Sequence, residues 1–328
     1  MALIRNLTVC IVAGILFVLP ACNQGNKSEH PSGEKQVEIG RLEHFIYTDT
    51  RPDSPYVNSL AAWGEIVGAD LLCDSIYRKY SGSAPVQVFT PDVEAVFPET
   101  EELSIRLGEF ENNIAELLPE VPSHTYFTVV SPYMQSIYLY ADSIVFIALN
   151  HYLGADYEGY AGRFADYEKQ TKEASRIPAD VARAVVVSAY PYFIGDNGGS
   201  VVSRMLYEGA VAEVLMRLMP YVSAAEALGY TDEEYEWLQA NENYAWQALV
   251  GKGLLYSASP TDMMRLFSPS PSTAILHPSA PGMAGRYFGY RIVKKYIESK
   301  HDAEMSFLLS PAFYADDRTF ANIGYIGR

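Results

Sequence analysis

The segment SRMLYEGAVAEVLMRLMP, Ser203–Pro220, decides the fold, because apolar residues recur at helical spacing over nearly its whole length. At about 100° per residue, Glu213 and Arg217 lie together on one side of the predicted helix as a solvent-exposed pair. Glu208 lies within or at the edge of the opposite, apolar face, and Arg204 precedes it by one turn. That face consists of Tyr207, Val211, Val214, Leu215 and Leu218. A carboxylate removed from water costs several kcal/mol unless it is paired or protonated, so Glu208 needs a partner or a function.

A second carboxylate is out of place in the same way in EYEWLQANENYAWQALV, residues 234–250. Glu242 lies in the middle of an apolar stripe, whereas Glu236 and Gln239 point away from it. The stripe consists of Leu238, Ala245, Trp246 and Leu249. We therefore expect the two glutamates, on successive long helices, to face each other inside the protein.

Two interpretations account for these carboxylates. In the first they are structural, with Arg204 paired to Glu208 along the helix and Tyr hydroxyl groups donating to Glu242. In the second they line a pocket that binds a cation, an amine or a metal ion. The residues of this candidate cleft are Tyr207, Glu208, Glu242, Arg204 and Arg286.

The sequence lacks the usual patterns of a catalytic site. A helical zinc hydrolase needs His-Glu-x-x-His, but in Tyr207–Val211, YEGAV, Tyr and Val occupy the two His positions. There is no pair of His residues at i, i+4, no Gly-x-Ser-x-Gly elbow and no phosphate-binding Gly loop. We therefore predict no metal ion and no cofactor, and we interpret His151 as a structural residue.

The N-terminus has the pattern of a bacterial lipoprotein signal. One Arg precedes an apolar run that ends in Leu-Pro-Ala-Cys at Cys22, and this run is shorter than the ~20 residues of a spanning helix. We predict a signal peptide over residues 1–21, acylation of Cys22, for example with palmitate, and a flexible tether over residues 22–38. An ordinary signal peptide and a transmembrane anchor are the alternatives. The expected location is the outer membrane, facing the periplasm.

Composition limits the classes of partner. The formal charge of −16 on 328 residues disfavours nucleic acid and direct adhesion to anionic lipid head groups. The predicted membrane contact is therefore the acyl chain on Cys22. Residues 39–328 contain no second linker or repeat and are predicted to form a single globular domain, whose stability does not depend on an internal disulfide because Cys73 is the only remaining thiol.

The order of elements predicts an α+β fold, with a mainly helical C-terminal half packed on a small sheet from the first half. Helices are predicted over residues 54–80, 100–121, 178–194, 200–219, 231–249 and 285–299. Strands are predicted over residues 85–90, 125–130, 136–140 and 143–149. Thr231 and Glu234 form a predicted capping box at the start of the fifth helix.

Four motifs in this order resemble the gliding-motility lipoprotein B (GldB-like) family of Bacteroidota. They are ALNHYLGADYEGY, MLYEGAVAEVLMRLMP, GYTDEEYEWLQANENYAWQAL and APGMAGRYFGYRIVKKYIES, and the resemblance covers roughly residues 130–300. This chain departs from the family pattern at Asn150, Ala210 and Met283, where the family has Asp, Lys and often Arg. The family is in turn distantly similar to zinc peptidases, which implies a degenerate zincin-like arrangement in which Glu208 stands at the catalytic Glu and Glu242 at a third ligand.

The resemblance implies a non-catalytic envelope lipoprotein with a role in gliding motility or its associated machinery. We expect it to bind a protein, peptide or glycan partner in the candidate cleft. The alternative is a metal-independent hydrolase that uses Glu208 and Glu242 as an acid/base pair. A third possibility is a carrier for an amine or a cation.

Overall fold

The computed structural model describes residues 36–54, 56–193, 199–300 and 303–327. The predicted signal peptide, Cys22 and nearly all of the predicted tether lie outside these residues, so lipidation of Cys22 stays a prediction. Residues 35–328 form one compact unit. Among the described residues, no helix combines the length and the apolar character needed to cross a bilayer.

Most of the described chain is helical. The helices of the first half are α1 Leu42–Tyr47, α2 Tyr56–Val67, α3 Asp74–Ser81, α4 Ala84–Val96 and α5 Glu101–Leu117. Those of the second half are α6 Asp166–Lys169, α7 Ile177–Ala189, α8 Val201–Leu218, α9 Ala224–Leu228, α10 Asp232–Ala240, α11 Glu242–Gly251, α12 Pro260–Phe267, α13 Ala284–Ser299, α14 Met305–Leu308, α15 Pro311–Tyr314 and α16 Asp317–Ile323.

A four-stranded mixed sheet lies in the first half. Its strands are β1 Ile39–Arg41, β2 Thr125–Val129, β3 Ile137–Tyr140 and β4 Ile144–Ala148, in the order β1-β2-β4-β3. The pairs β1–β2 and β2–β4 are parallel, whereas β3 and β4 are antiparallel. The α+β prediction is confirmed, and so are three of the four predicted strands. The sequence pattern did not predict β1, whose three residues are too few to show an alternation.

Helices cover both faces of the sheet. Because successive side chains of a strand point to opposite faces, Phe127 and Phe146 pack into one apolar cluster with Trp63 of α2. Tyr126 and Val145, one position away in each strand, belong to the main core with the helices of the second half. The sheet therefore lies between α1–α3 on one face and the helical half that carries the candidate site on the other, while α4 contributes to both clusters.

The predicted strand over residues 85–90 is wrong, because this segment lies within α4. Its buried residues Val86, Phe89, Thr90 and Val93 follow the spacing of a helix face. Pro85 is tolerated because it occupies the first turn, where its missing N–H group costs no hydrogen bond. Val86 and Thr90, two of the β-branched residues that suggested a strand, lie on the inner face of the helix, whereas Val88 is exposed.

Two predicted helices are each divided in two. Residues 54–80 contain α2 and α3, separated at Gly68, whose positive φ of 69° ends the first helix. Residues 231–249 contain α10 and α11, which are separated at Asn241. Glu242 is consequently the first residue of α11 and not a mid-helix residue. The capping box of Thr231 and Glu234 is confirmed.

Helix α8 is the centre of the second half. Ser200 caps its N-terminus by accepting a hydrogen bond from the Ser203 N–H group, and the helix ends two residues before Pro220. It is buried on nearly every side and makes its most extensive contact with α13. Glu213 and Arg217, predicted to be a solvent-exposed pair, differ in exposure. The Arg217 side chain is half exposed, whereas that of Glu213 is largely covered, and the nearest N–O distance between them is 3.8 Å.

Candidate functional site

Glu208 is held by three guanidinium groups. Arg204 donates from Nε at 3.0 Å and from Nη2 at 2.6 Å to Oε1, which confirms the predicted pair along α8. Arg183 of α7 donates to Oε2, and Arg286 Nε of α13 lies 3.5 Å from the same oxygen. The Glu208 side chain is only 1% exposed. Three helices thus converge on one buried carboxylate.

The charges around Glu208 decide its protonation. Burial by itself raises the pKa of Glu208, but the guanidinium groups of Arg183, Arg286 and Arg204 outweigh it and hold that pKa well below its usual range. The carboxylate is therefore ionised at neutral pH, and both of its oxygen atoms are engaged by arginine. Such a group is a buried counter-ion and not a proton donor.

Glu242 belongs to a second cluster. The Tyr287 hydroxyl donates to Oε2 at 2.7 Å, the Tyr325 hydroxyl donates to Oε1 at 2.5 Å, and Arg291 Nε lies 3.2 Å from Oε2. Burial, together with the neighbouring carboxylate, raises the pKa of both tyrosines. The position of Glu242 in the first turn of α11 also suits a negative charge, because the helix dipole is positive there.

The predicted cleft residues are divided between these two clusters. Arg204, Glu208 and Arg286 come together, and the Tyr207 ring lies 5.3 Å from the Arg204 guanidinium. Glu242 shares no hydrogen bond or salt bridge with that group among the described residues. Helix α13 contributes to both clusters, because its Arg286 lies beside Glu208 while its Tyr287 and Arg291 contact Glu242.

Tyr207 belongs to a group of aromatic side chains that packs beside the first cluster. Its hydroxyl donates to the Tyr190 carbonyl at 2.8 Å, and its ring contacts the rings of Tyr192 and Tyr314 at 5.2 and 5.4 Å. Arg204 extends over the Tyr192 ring at 4.8 Å. Arg204 therefore contacts both these aromatic rings and Glu208.

Sequence reasoning missed four residues of the two clusters: Arg183, Tyr287, Arg291 and Tyr325. A signal was available for Arg183, which interrupts the apolar run of α7 as Glu208 interrupts that of α8. Arg291 interrupts α13 in the same way. Tyr287 and Tyr325 carry no such signal, because an apolar face accepts tyrosine without any break in the pattern.

Two of the departures from the family pattern have a local explanation. The Asn150 amide accepts from the Ser131 N–H group and donates to the Ser131 carbonyl, each at 3.0 Å. An Asp carboxylate accepts only and cannot make the second of these bonds. Ala210 is fully buried in α8, so a Lys at this position would have to be accommodated inside the core.

The predicted structural role of His151 agrees with its surroundings. The ring is buried, Nε2 donates to the Tyr133 carbonyl at 2.9 Å, and Lys172 Nζ lies 3.5 Å from Nδ1. Burial, and then the charge of Lys172, lowers the pKa of His151 to about 3. The imidazole is therefore neutral over the physiological pH range.

The two clusters do not have the donor set of a metal centre. Within the described ranges, no group of three or more His, Cys, Asp and Glu residues could hold a metal ion. Both oxygen atoms of Glu208 already accept hydrogen bonds from arginine, and three guanidinium groups repel a cation. A cavity of about 430 Å³ lies elsewhere, between α5 and the start of α7, with Leu103, Arg106 and Tyr221 in its lining.

Residues 56–317 match the family described as gliding motility protein GldB. Comparison with curated proteins and with solved structures yields no match, so the distant similarity to zinc peptidases and the zincin-like arrangement stay predictions. The matched range includes α7, α8, α11 and α13, and thus every residue of the two clusters except Tyr325. By this match over most of its length, the chain belongs to the gliding motility protein GldB family, a family of envelope-associated lipoproteins.

Proposed function

We propose that the protein is a non-catalytic lipoprotein of the gliding-motility envelope machinery that binds a protein, peptide or glycan partner. Family membership supports the envelope setting and the link to gliding motility. The non-catalytic role is carried by one observation, the full engagement of the two inward carboxylates. Arg183 and Arg204 occupy the oxygens of Glu208, and Tyr287 and Tyr325 occupy those of Glu242.

The alternative of a metal-independent hydrolase is less well supported. An acid/base pair requires one carboxyl group with a raised pKa and a second that can reach the substrate. The pKa of Glu208 is lowered instead, because three guanidinium groups surround it. Burial of both side chains also separates them from a substrate in solvent.

Attachment through an acylated Cys22 completes the proposal. The lipid holds the domain at the outer membrane on its periplasmic side, and the tether of residues 22–38 lets it reach partners near the bilayer. The test compares the wild type with Cys22→Ser in membrane and soluble fractions of the host. We expect the wild type in the outer-membrane fraction and loss of that location in the variant; equal recovery of both in the outer membrane would contradict the anchor.

Partner binding is tested by crosslinking the full-length protein in intact cells, followed by mass spectrometry. The matched control keeps residues 1–38 and replaces the domain with an unrelated soluble protein, so that it shares the anchor and the location. We expect an envelope component that is recovered only with residues 39–328. If the control recovers the same set of components, the domain has no partner of its own and the proposal fails.

The hydrolase alternative has its own outcome in the same experiment. The crosslinked component is incubated with the purified lipoprotein and inspected for cleavage by mass spectrometry. Unchanged partner mass agrees with a binding role. Cleavage that is lost in a folded Glu208→Gln variant would establish catalysis and overturn the non-catalytic assignment.

A further inference from the structure

The cluster around Glu208 has more positive than negative charge. Arg183, Arg204 and Arg286 face a single carboxylate, which leaves an excess of two positive charges. In a chain whose formal charge is −16, such a concentration of cations is unusual. Burial, followed by the neighbouring Arg183 charge, lowers the pKa of Arg286 to about 10.

The neighbouring charges do not neutralise this excess. Asp180 lies one turn before Arg183 on α7 and accepts a hydrogen bond from the Tyr152 hydroxyl at 2.9 Å. It interacts with Arg176 and Lys172 as well as with Arg183. With Asp180, Arg176 and Lys172 included, the cationic groups still outnumber the carboxylates, so the local field favours an anion.

The arginines lie between Glu208 and solvent. The side chains of Arg183, Arg204 and Arg286 are 21%, 32% and 17% exposed, whereas that of Glu208 is 1% exposed. Within the part of the chain that the structure describes, Arg183 Nη1 and Arg286 Nε are buried without a hydrogen-bond partner. Buried donors without a partner cost about 1–3 kcal/mol each, so Glu208 alone does not satisfy the three guanidinium groups. Because these two atoms are inaccessible and Arg286 Nε faces Glu208, a ligand oxygen would meet the exposed parts of the arginine side chains.

Aromatic rings border the same place. The Arg204 guanidinium carbon lies 4.8 Å from the Tyr192 ring centroid and 5.9 Å from that of Phe267. Phe193, next to Tyr192, is a large exposed aromatic side chain. Arginine beside aromatic rings is typical of binding surfaces, because the rings contact apolar groups while the guanidinium fixes an oxyanion.

We propose that Arg183, Arg204 and Arg286 form a binding site for one carboxylate group of a peptide or protein partner. This inference rests on the proposed function and specifies the chemistry of the partner. It reverses the sign of the ligand suggested by the sequence, from a cation or an amine to an anion. Glu208 then acts as a positioning residue that holds the three guanidinium groups together.

A carboxylate suits the site better than the phosphates of a lipid surface. Glu208 itself shows that these guanidinium groups pair with a carboxylate. The overall charge of −16 repels an extended anionic surface such as a phospholipid layer. A single acidic group that enters beside the aromatic rings meets only the local positive field.

The test uses the full-length wild-type lipoprotein in neutral detergent and an arginine-specific dicarbonyl reagent, phenylglyoxal. The rate of modification of Arg204 is measured by peptide mapping in sodium acetate, sodium phosphate and sodium chloride at equal ionic strength. Arg217, on the same helix and half exposed, is the internal control. When the anion concentration is about twice its Kd, occupancy of the site should slow the modification of Arg204 about threefold relative to the rate in sodium chloride.

We expect acetate to protect Arg204 and to leave Arg217 unaffected. Equal rates at Arg204 in all three salts would overturn the site. Protection by phosphate without protection by acetate would overturn the assignment to a carboxylate. The two proposals can fail separately. If no ion protects Arg204, the carboxylate site is wrong but a crosslinked partner still supports the proposed function. If no domain-specific partner is found, the proposed function is wrong even when acetate protects Arg204.

Discussion

Gly209 of α8 and Gly289 of α13 meet backbone to backbone at the crossing of the two helices. A Cβ atom on Gly209 would overlap the Gly289 carbonyl group, and one on Gly289 would overlap the Met205 carbonyl group. This close approach brings the Arg286 side chain within reach of Glu208, while Tyr287 and Arg291 reach Glu242. The two glycines thus set the geometry of both carboxylate clusters.

Gly289→Ala is expected to destabilise the protein by about 1–3 kcal/mol or more, because the added methyl group forces the helices apart in a fully packed core. The change should also loosen the contacts of Arg286 and Arg291 with the glutamates. Chemical denaturation followed by circular dichroism measures the loss. Gly251→Ala, in the last position of α11 with open space around it, is the control, and it should be neutral or stabilising by up to about 1 kcal/mol. Equal stability of Gly289→Ala and the wild type would contradict the close crossing.

Glu208→Gln is expected to destabilise the protein by about 3 kcal/mol at pH 7. The substitution leaves three guanidinium groups without their counter-ion, and their partial exposure places the cost at the lower end of the range for buried pairs. Because the folded-state pKa lies below the usual value of 4.5, the contribution of Glu208 is complete above that pH and is lost as pH falls below it. The difference between variant and wild type should therefore be smaller at pH 3 than at pH 7.

Glu213→Gln on the same helix is the matched control for that experiment. Burial raises the pKa of Glu213, so its charge is disfavoured in the folded state. The substitution should be neutral or slightly stabilising at pH 7, within about 1 kcal/mol. If both substitutions cost the same, the arginines around Glu208 contribute nothing specific and the counter-ion role is wrong.

Tyr325→Phe tests the second cluster. The ring keeps its contact with Trp246, whose centroid lies 4.8 Å away, but the hydroxyl that donates to Glu242 is lost. Loss of a donor to a buried carboxylate is expected to cost about 1.5–3 kcal/mol. Tyr256→Phe, at a residue that is 65% exposed, should change stability by less than about 0.5 kcal/mol. Indistinguishable denaturation midpoints for the two variants would argue against the hydrogen bond to Glu242.

His151 should make stability depend on pH in the weakly acidic range. Its folded-state pKa is lowered from 6.5 to about 3, so the folded protein does not take up the proton that the unfolded chain binds below pH 6.5. Stability is unaffected by this group above pH 6.5 and falls as pH decreases, by about 2 kcal/mol at pH 5. His151→Gln, which can still donate to the Tyr133 carbonyl, should remove that slope in thermal unfolding at pH 5, 6 and 7.

The control for this experiment is His277→Gln, at a half-buried histidine beside Trp237 and Tyr244. A wild-type slope that persists unchanged in His151→Gln would mean that other groups cause it.

Local periodicity was sufficient for much of this protein. The spacing of apolar residues predicted α5, α7, α8 and α13, and runs of β-branched and aromatic residues between turn residues predicted β2, β3 and β4. The same spacing placed Glu208 and Glu242 inside the protein, and the i, i+4 relation predicted the Arg204 pair. These features depend on residues within one or two turns of each other, which is the range over which a sequence pattern carries information.

Periodicity failed where two structures share one pattern. Val86, Phe89, Thr90 and Val93 suit a strand by composition and a helix face by spacing, and the helix prevails because all four residues are buried on one side. A continuous apolar stripe predicted one helix over residues 231–249, but Asn241 separates α10 from α11. In both segments the packing of neighbouring elements decides between alternatives of similar local preference.

The sequence by itself determined that two carboxylates lie in the interior of an α+β domain. Only the tertiary structure decided what surrounds them, because Arg183 is 25 positions from Glu208 and Tyr325 is 83 positions from Glu242. Such contacts arise from the packing of α7 against α8 and of the segment after α16 against α11, and spacing along a single helix does not encode that packing. The packing of separate helices thus decided the sign of the charge at the site, since it brought three arginines to one glutamate.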